Sequence, residues 1–296
     1  MGSSKRYRII YNNDGGEVNT PAGATAEDFL DARMNMLANT QVDMISYCSH
    51  YSFGSCLHKS SVGTVPTPVK NRGRQANAQA LIDSGRDCLQ ITVDWAHENG
   101  IDVAWSMRMN DCHDGKIAIS EIRSKFKRDH PEYLIGREED ASTPEKFVGN
   151  YRWWAGVNYA IPEVQQKALA MIREVCENYD IDGIELDWNR HNVYFPENRL
   201  GTNATREHIE AMTGFMRSVR KMIDEVGAKR GRPITIIARV LDALEMDLHL
   251  GLDVKAWVEE HLLDILVPGD YWQFTDLKEC VELGHKHGIL VRGLSI

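Results

Sequence analysis

The chain has 296 residues, of which 43% are hydrophobic, and its formal net charge is −9. A chain of this length builds a large core without disulfides and is typical of a single α/β barrel. The acidic charge and the lack of a long Lys/Arg run argue against a nucleic-acid-binding protein. No segment approaches 18 consecutive apolar residues, so we expect no membrane span. The start has no apolar signal core, which predicts a cytoplasmic protein, or a secreted one if a signal was removed.

Six cysteines lie along the chain without a C-x-x-C spacing. This pattern is not typical of a zinc site or of a disulfide framework. We therefore expect free, buried thiols at Cys48, Cys56, Cys88, Cys112, Cys176 and Cys280.

Runs rich in β-forming residues alternate with helical patterns along the whole chain. Strands are predicted at residues 7–13, 42–48, 101–109, 181–188, 234–241, 264–270 and 289–295. Helices are predicted at residues 26–39, 75–99, 162–179, 205–229, 253–262 and 276–287. Several helix ends carry clear signals: Thr25 begins a capping box, Pro162 stands in a first turn, and Gly100 and Gly288 follow last turns. This alternation is typical of parallel βαβ units.

Two folds fit such an alternation, a doubly wound sheet and a (β/α)8 barrel. No G-x-G-x-x-G follows a strand and no G-x-x-x-x-G-K-[ST] occurs, so the usual nucleotide-binding signature is missing. A barrel also explains polar strand ends, because barrel enzymes gather their chemistry there. We therefore predict a TIM-type (β/α)8 barrel that forms a single domain over residues 1–296.

Two features depart from a regular barrel. The predicted strands stop at the seventh, whereas closure needs an eighth unit of about 30 residues. We expect a barrel that lacks this unit or closes imperfectly. A polar insertion at residues 111–160 follows strand three and is long enough for a lid or a small subdomain.

The fourth strand carries the clearest functional signal, in "IDGIELDWNRH" at residues 181–191. Side chains alternate along a strand, so the apolar residues face the helices and the polar ones face the barrel interior. Asp187 then lies near the mouth, and Glu185 lies one layer deeper, by about 6–7 Å. A structural ion network with Arg108 and Arg239 is the alternative to catalysis for Glu185.

Other strand ends are also polar. The alternation and the strand ends add candidate site residues at Asn12, Asp14, Arg108, Asn110, Asp111, His113, Asn189, Arg190, Arg239 and Asp270. Turn formation is the alternative for Asn12, Asp14, Asn110 and Asp111. Trp154 and Trp272 are candidate platforms for a sugar ring, and packing beneath the long loop is the alternative for Trp154.

Histidines raise the question of a metal. His113 and His191 do not have the spacing of a metal site. We expect an exposed loop histidine at His191, and we predict no obligatory metal and no other cofactor. A metal-dependent hydrolase that uses His113, Asp14 and Asp187 remains a minor alternative.

Five blocks of the sequence together resemble one family. They are "IIYNNDGG", "WSMRMNDCHD", "VNYAIPEVQ", "YDIDGIELDWNRH" and "GLDVKAWVEEHLLDILVP". In this order they are similar to the family-10-like, glycosyl-hydrolase-like barrel proteins of bacteria, over the stretch from Tyr7 to about Gly293. The resemblance implies a glycosidase barrel with an eighth strand after residue 296.

"DGIELDWN" is also similar to the D-G-x-D-x-D-x-E run of family 18 chitinases, whose last acid donates a proton. Asn189 stands at that position here, and an amide cannot donate a proton as a carboxylic acid does. The chitinase mechanism is therefore not carried over. Strand seven ends with Arg292 and no carboxylate, so the pattern of a nucleophile on strand seven is not met either.

These observations predict a glycoside hydrolase acting on a poly- or oligosaccharide. Such chemistry generally uses two carboxyl groups that flank the bond. Asp187 is the first candidate, and Asp111, then Asp270 and Glu185, are candidates for its partner. Residues expected to hold the sugar are Asn12, Asp14, Arg108, Asn110, His113, Trp154, Asn158, Asn189, Arg190, Arg239 and Trp272. A carbohydrate-binding barrel without catalysis is the main alternative, and the oligomeric state is left open.

Overall fold

The computed structural model describes residues 7–19, 25–65, 73–116, 122–142, 152–269 and 274–293. Seven parallel strands form one sheet in chain order, each paired with the next. They are β1 (Ile10–Asn13), β2 (Met44–Tyr47), β3 (Asp102–Arg108), β4 (Gly183–Asp187), β5 (Thr235–Val240), β6 (Ile265–Pro268) and β7 (Leu290–Val291). Each lies inside its predicted run, and the predicted barrel-type fold through strand seven is confirmed.

Ten helices accompany the strands in the described parts of the chain. They are α1 (Ala26–Arg33), α2 (Gly73–Asp83), α3 (Cys88–Glu98), α4 (Lys125–Asp129), α5 (Pro162–Asn178), α6 (Pro196–Arg199), α7 (Arg206–Arg230), α8 (Leu244–Leu250), α9 (Val254–Glu259) and α10 (Lys278–His287). The predicted helix 75–99 is two helices, because Asp87 caps a new one by accepting the N–H groups of Leu89 and Gln90. The prediction missed three short helices, α4, α6 and α8.

The helix signals in the sequence act as expected. Thr25 and Asp28 form the capping box of α1, and Pro162 is the first residue of α5. Gly100 and Gly288 have φ values of 71° and 70°, which favour glycine.

The sheet curls around an apolar interior layer. Buried side chains from four strands and from Tyr7 meet in one cluster: Tyr7, Met44, Ala104, Ile237, Ile265 and Val267, with Ile10 and Leu290 packed against it. Residues from β1 and β7 therefore contact the same cluster. Arg292, which follows β7, also donates a hydrogen bond from Nε to the carbonyl of Tyr7. These contacts bring the first and last strands toward each other as a curled half-barrel.

The outer face of β4 packs against the helices. Trp188 is 1% exposed. Its ring contacts those of Tyr159, Tyr194, Phe215 and Trp257 at centroid distances of 5.3–6.3 Å. Burial of an aromatic side chain contributes roughly 1.5–3 kcal/mol. This packing sets which face of β4 is turned outward, as predicted. Trp188 faces the helices, and Glu185 and Asp187 face the interior.

The insertion after β3 is tied to the barrel where the structure describes it. It holds α4, short 3-10 turns and a one-residue antiparallel bridge between Leu134 and Val157. The buried Lys127 Nζ donates to the carbonyl of Asp111 at 2.8 Å and to Oδ1 of Asp114 at 2.9 Å. Two statements stay predictions: that the insertion acts as a lid, and that residues 1–296 form a single domain.

All six cysteines are free and buried, as expected. In the ranges given above, no helix has the length and apolar character needed to span a bilayer.

Candidate functional site

Three neighbouring strands bring one carboxylate and two guanidinium groups to the same level. The register pairs Arg108 with Asp187, and Asp187 with Arg239. Arg108 and Asp187 end β3 and β4, and Arg239 is the penultimate residue of β5. These side chains therefore lie at the carboxyl ends of the strands, the face where α/β barrels carry their chemistry.

The Asp187 carboxylate is oriented mainly by its own backbone. Its Oδ1 accepts the N–H of Asn189 at 2.9 Å, and its Oδ2 lies 3.5 Å from Nη1 of Arg239. The latter contact is at the long limit of a hydrogen bond. Burial opposes the charge of Arg108, but nearby anionic groups, Asp111 and Asp187 among them, outweigh burial and raise the pKa of this guanidinium. Asp187 thus faces two cations and holds Arg239 only loosely.

Glu185 occupies the layer beneath Asp187, as the alternation predicts. Its Oε1 accepts hydrogen bonds from Nδ2 of Asn12 at 2.9 Å and from Oγ of Ser106 at 2.8 Å. Burial, together with the charge of Asp187, raises the pKa of Glu185. These bonds join β1, β3 and β4 across the interior, which supports the network alternative for Glu185.

Asp111 lies just past β3 and binds a histidine and an arginine. Nδ1 of His113 is 2.8 and 2.9 Å from its two carboxylate oxygens, and Nη1 of Arg108 is 3.3 Å from Oδ2. Burial opposes the charge of Asp111, but the contacts with His113, His191 and Arg108 outweigh it and hold the pKa of Asp111 well below its usual range. The Asp111 side chain is 0% exposed, whereas that of His113 is 20% exposed.

The other side of the His113 ring faces Arg190 and His191. Nη2 of Arg190 lies 3.0 Å from Nε2 of His113, and the His191 ring contacts it edge-on at 4.9 Å between centroids. A guanidinium can only donate, so Nε2 accepts this hydrogen bond and Nδ1 carries the proton shared with Asp111. This arrangement selects one tautomer of His113.

His191 is buried, so the prediction of an exposed loop histidine is wrong. It is 8% exposed, and its Nδ1 accepts the N–H of Cys112 at 3.2 Å. Burial lowers the pKa of His191 to about 3, which keeps the ring neutral at ordinary pH. The insertion after β3 covers this ring, and a single sequence gave no sign of that contact.

Asp111, His113 and His191 also have the spacing of a metal site, since one ligand atom from each lies within 4.8 Å of the others. The hydrogen bonds do not favour a cation there. Both ring nitrogens of His113 are engaged, and Arg108 and Arg190 bring two positive charges to the cluster. The donor set fits a hydrogen-bonded network better than a metal ion, since each metal ligand must offer a free lone pair.

Asp14 makes its ion pair outside this network, although it lies near enough to Arg108 for their charges to interact. It follows β1 and pairs with Arg33 at 2.5 Å, with 59% of its side chain exposed. Burial opposes its charge, but the bond to Arg33 outweighs burial and lowers the pKa of Asp14. The metal set of Asp14, His113 and Asp187 considered from the sequence is not the cluster that the structure forms.

Four of the predicted sugar-binding residues use their polar groups within the protein. Asn110 donates to the carbonyls of Val157 and Val193 and accepts the N–H of Val157. Asn189 donates to the carbonyls of Val240 and Gly269. These two amides tie loops to strand ends.

Trp154 is 2% exposed and donates from Nε1 to the carbonyl of Gly115 at 3.1 Å. Its burial supports the packing alternative over a sugar platform.

Asn158 accepts the N–H of Ala160 at 3.0 Å, in a local turn before α5. The predicted residues Asp270 and Trp272 lie outside the described residues.

Sequence reasoning missed His50, which follows β2. This buried ring accepts the backbone N–H of Arg108 through Nε2 at 2.7 Å, and burial lowers its pKa to about 3. This hydrogen bond fixes the backbone at the carboxyl end of β3, from which the Arg108 side chain extends. The available signal was its place just past a strand end, which it shares with Asp14 and Asp111.

A curled α/β sheet with its polar residues at the carboxyl ends of the strands defines a barrel of the enzyme-bearing class. The profile of the family described as "Glycosyl hydrolase-like 10" matches residues 26–216, and the chain belongs to this family.

A bacterial relative and two solved structures are also similar to this chain. "Glycosyl hydrolase DigH" of Escherichia coli K12 is 26% identical over 217 residues, which cover 64% of this chain and 47% of the relative. The match thus spans about half the length of that relative. A cycloisomaltooligosaccharide glucanotransferase from Paenibacillus sp. superposes with a TM-score of 0.57 at 12% identity, over 97% of this chain and 38% of the other. A glycoside hydrolase family 20 β-N-acetylglucosaminidase gives 0.53 at 12% identity, over 97% and 52%. These two likenesses concern the fold alone.

Proposed function

We propose that the protein hydrolyses a glycosidic bond of a poly- or oligosaccharide, with Asp187 as the working carboxylate. The observation that carries this proposal is the position of Asp187, at the carboxyl end of β4 between Arg108 and Arg239. A carboxylate at this face can stabilise the positive charge that develops on the sugar ring during bond cleavage. Membership of a glycosyl-hydrolase-like family supports the reaction class.

The other candidate acids are less suited to contact a sugar directly. Asp111 is fully enclosed and bonded to His113 and Arg108. Glu185 lies one layer deeper than Asp187 and is bonded to Asn12 and Ser106. In this proposal they hold other groups in place, and Arg108, Arg239 and Arg190 bind hydroxyl groups of the substrate.

The test is a glycan panel in which reducing-end release and binding are read in the same wells. We expect Asp187→Asn to lower release by about 10²- to 10⁴-fold, the usual contribution of such a group. Asp182→Asn is the matched control, because Asp182 lies just before the amino end of the same strand. Asp182 pairs with Arg232 and is largely buried. Melting temperatures show whether each variant is folded.

The result that would contradict the proposal is release by folded Asp187→Asn at the wild-type rate, or no release by the wild type on any glycan.

A barrel that binds carbohydrate without cleaving it is the second candidate. The observation in its favour is the burial of Asp187, whose side chain is only 4% exposed. Binding without release in both wild type and Asp187→Asn would establish this function instead. Binding weakened by less than about tenfold in the variant would fit loss of one hydrogen bond to a sugar hydroxyl.

A further inference from the structure

The site contains a histidine–carboxylate pair that the proposed reaction has not yet used. Asp111 holds Nδ1 of His113 through both of its oxygens, at 2.8 and 2.9 Å. Asp111 is completely buried, while a fifth of the His113 side chain reaches solvent. The second ring nitrogen, Nε2, is free of Asp111 and lies 3.0 Å from Nη2 of Arg190.

Glycoside hydrolysis needs a proton donor besides the carboxylate that faces the ring carbon. The position of the chitinase proton donor is Asn189 here, and its amide is committed to the carbonyls of Val240 and Gly269. Glu185 lies below the level of Asp187 and bonds inward to Asn12 and Ser106. Asp14 is ion-paired with Arg33 at 2.5 Å. Among the described groups around Asp187, His113 is the one that combines exposure with a partner that orients it.

We propose that His113, oriented by Asp111, is the proton-transfer group of this site. This inference rests on the proposed glycoside hydrolysis and assigns its missing second group. Asp111 is a positioning residue in it, because a buried carboxylate on Nδ1 fixes the tautomer and stabilises the imidazolium.

The step balances without any further reactant. Protonated Nε2 of His113 gives its proton to the glycosidic oxygen while the bond from that oxygen to the anomeric carbon breaks. The positive charge left on the sugar faces the Asp187 carboxylate. Water then adds its oxygen to the anomeric carbon and returns a proton to Nε2. In the structure Arg190 donates to Nε2, so substrate must displace this contact before Nε2 can act.

Three groups contact the His113 ring, and a fourth acts through one of them. Asp111 accepts from Nδ1, and Arg190 donates to Nε2. His191 lies against the ring as a neutral group, and Arg108 reaches the same network through Asp111. Displacement of Arg190 by substrate therefore frees Nε2 to reach the glycosidic oxygen.

The experiment compares His113→Gln with wild type on two substrates made from the sugar that the glycan panel identifies. One is the natural oligosaccharide, and the other is the 2,4-dinitrophenyl glycoside, whose leaving group departs without a proton. We expect a loss of about 10²- to 10⁴-fold on the oligosaccharide and less than about tenfold on the dinitrophenyl glycoside. His130→Gln is the matched control, since His130 is 42% exposed on the insertion and pairs with Glu132.

Two further readouts separate proton transfer from a structural role. The limb of the pH profile of kcat/KM that belongs to His113 should vanish in His113→Gln. Added imidazole should restore release by His113→Ala, where a cavity replaces the ring. Melting temperatures of both variants confirm that they are folded.

The outcomes distinguish the role of His113 from the proposed glycoside hydrolysis on which it rests. Equal losses on both substrates, or an unchanged pH profile, overturn the role of His113 while the dependence on Asp187 stands. Loss of release in chelator with recovery on added Zn²⁺ also overturns it, in favour of a metal on Asp111, His113 and His191. No release from any glycan by the wild type overturns the proposed hydrolysis itself.

Discussion

The two ends of β4 both place an aspartate among arginines, but they are built differently. At the amino end Asp182 pairs with Arg232 at 2.5 Å, lies 2.8 Å from His97 and accepts the N–H of Val103. At the carboxyl end Asp187 lies 3.5 Å from Arg239. The amino-end arginine is also more exposed, at 37% against 12% for Arg239.

The difference separates a structural ion pair from the carboxylate that we propose to be functional. Both carboxylate oxygens of Asp182 bind close donors, so this end joins strands and loops. The Asp187 carboxylate accepts the N–H of Asn189 and reaches Arg239 only at 3.5 Å. The amino-end face of a barrel generally supports stability, and the carboxyl-end face carries the site. One strand therefore shows both uses of the same residue type.

The same substitution of an arginine beside each aspartate gives the largest contrast. Arg108 lies beside Asp187 on β3, and Arg232 pairs with Asp182. We expect Arg108→Lys to lower glycan release by about 10- to 100-fold, because loss of a charged hydrogen bond of about 1.5–3 kcal/mol acts on the site. Lysine keeps the charge but cannot present the planar fork of arginine. Arg232→Lys should leave release unchanged and lower only the melting temperature. Steady-state rates and thermal unfolding measure both effects. Equal rate losses in the two variants would remove the contrast.

Asn189→Asp tests whether an acid can be tolerated at the carboxyl end of β4. Its amide donates to the carbonyls of Val240 and Gly269. A carboxylate would face two carbonyl oxygens, so we expect the free energy of unfolding to fall by about 1–3 kcal/mol. Urea unfolding measures the change, with Asn178→Asp at the exposed end of α5 as control. A variant as stable as wild type would show that these two bonds do not hold β5 and β6.

The smallest expected effect is a pH dependence at Glu185. Its folded pKa is raised above that of the unfolded chain, so wild-type stability declines as pH rises from about 4.3 toward the folded value. Glu185→Gln does not titrate. The difference in unfolding free energy, variant minus wild type, should therefore increase with pH across that window. Urea unfolding at several pH values measures it, and Glu225→Gln on α7 is the control. A constant difference would contradict the raised pKa.

Much of the fold follows from local pattern. The alternation in β4 placed Trp188 among the helices and Glu185 and Asp187 inside, as the structure shows. The short helix α8 was missed, because it has seven residues and is held by a hydrogen bond to the segment just before it. Asp247 within it is buried and accepts the N–H of Leu241. A helix of that length has little intrinsic stability, so periodicity does not reveal it.

The site was predicted less completely than the fold. The strand ends identified Asp187, Arg108 and Arg239, because register follows from parallel pairing in chain order. The roles of Asn110 and Trp154 could not be predicted from the sequence. An amide or an indole is equally suited to bind a sugar and to anchor a loop. His191 was expected in solvent because nothing in its neighbours shows that the insertion covers it.

By itself the amino-acid sequence determined a seven-strand parallel α/β sheet, its helix caps and the inward face of β4. These properties depend on residues close together along the chain. Only the tertiary structure decided which polar groups are already satisfied. That depends on contacts between segments far apart, such as Asp111 and His113 with Arg190, or Asp187 with Arg239. Hydrogen bonds of this kind have no local signature, and they decide which side chains remain available for chemistry.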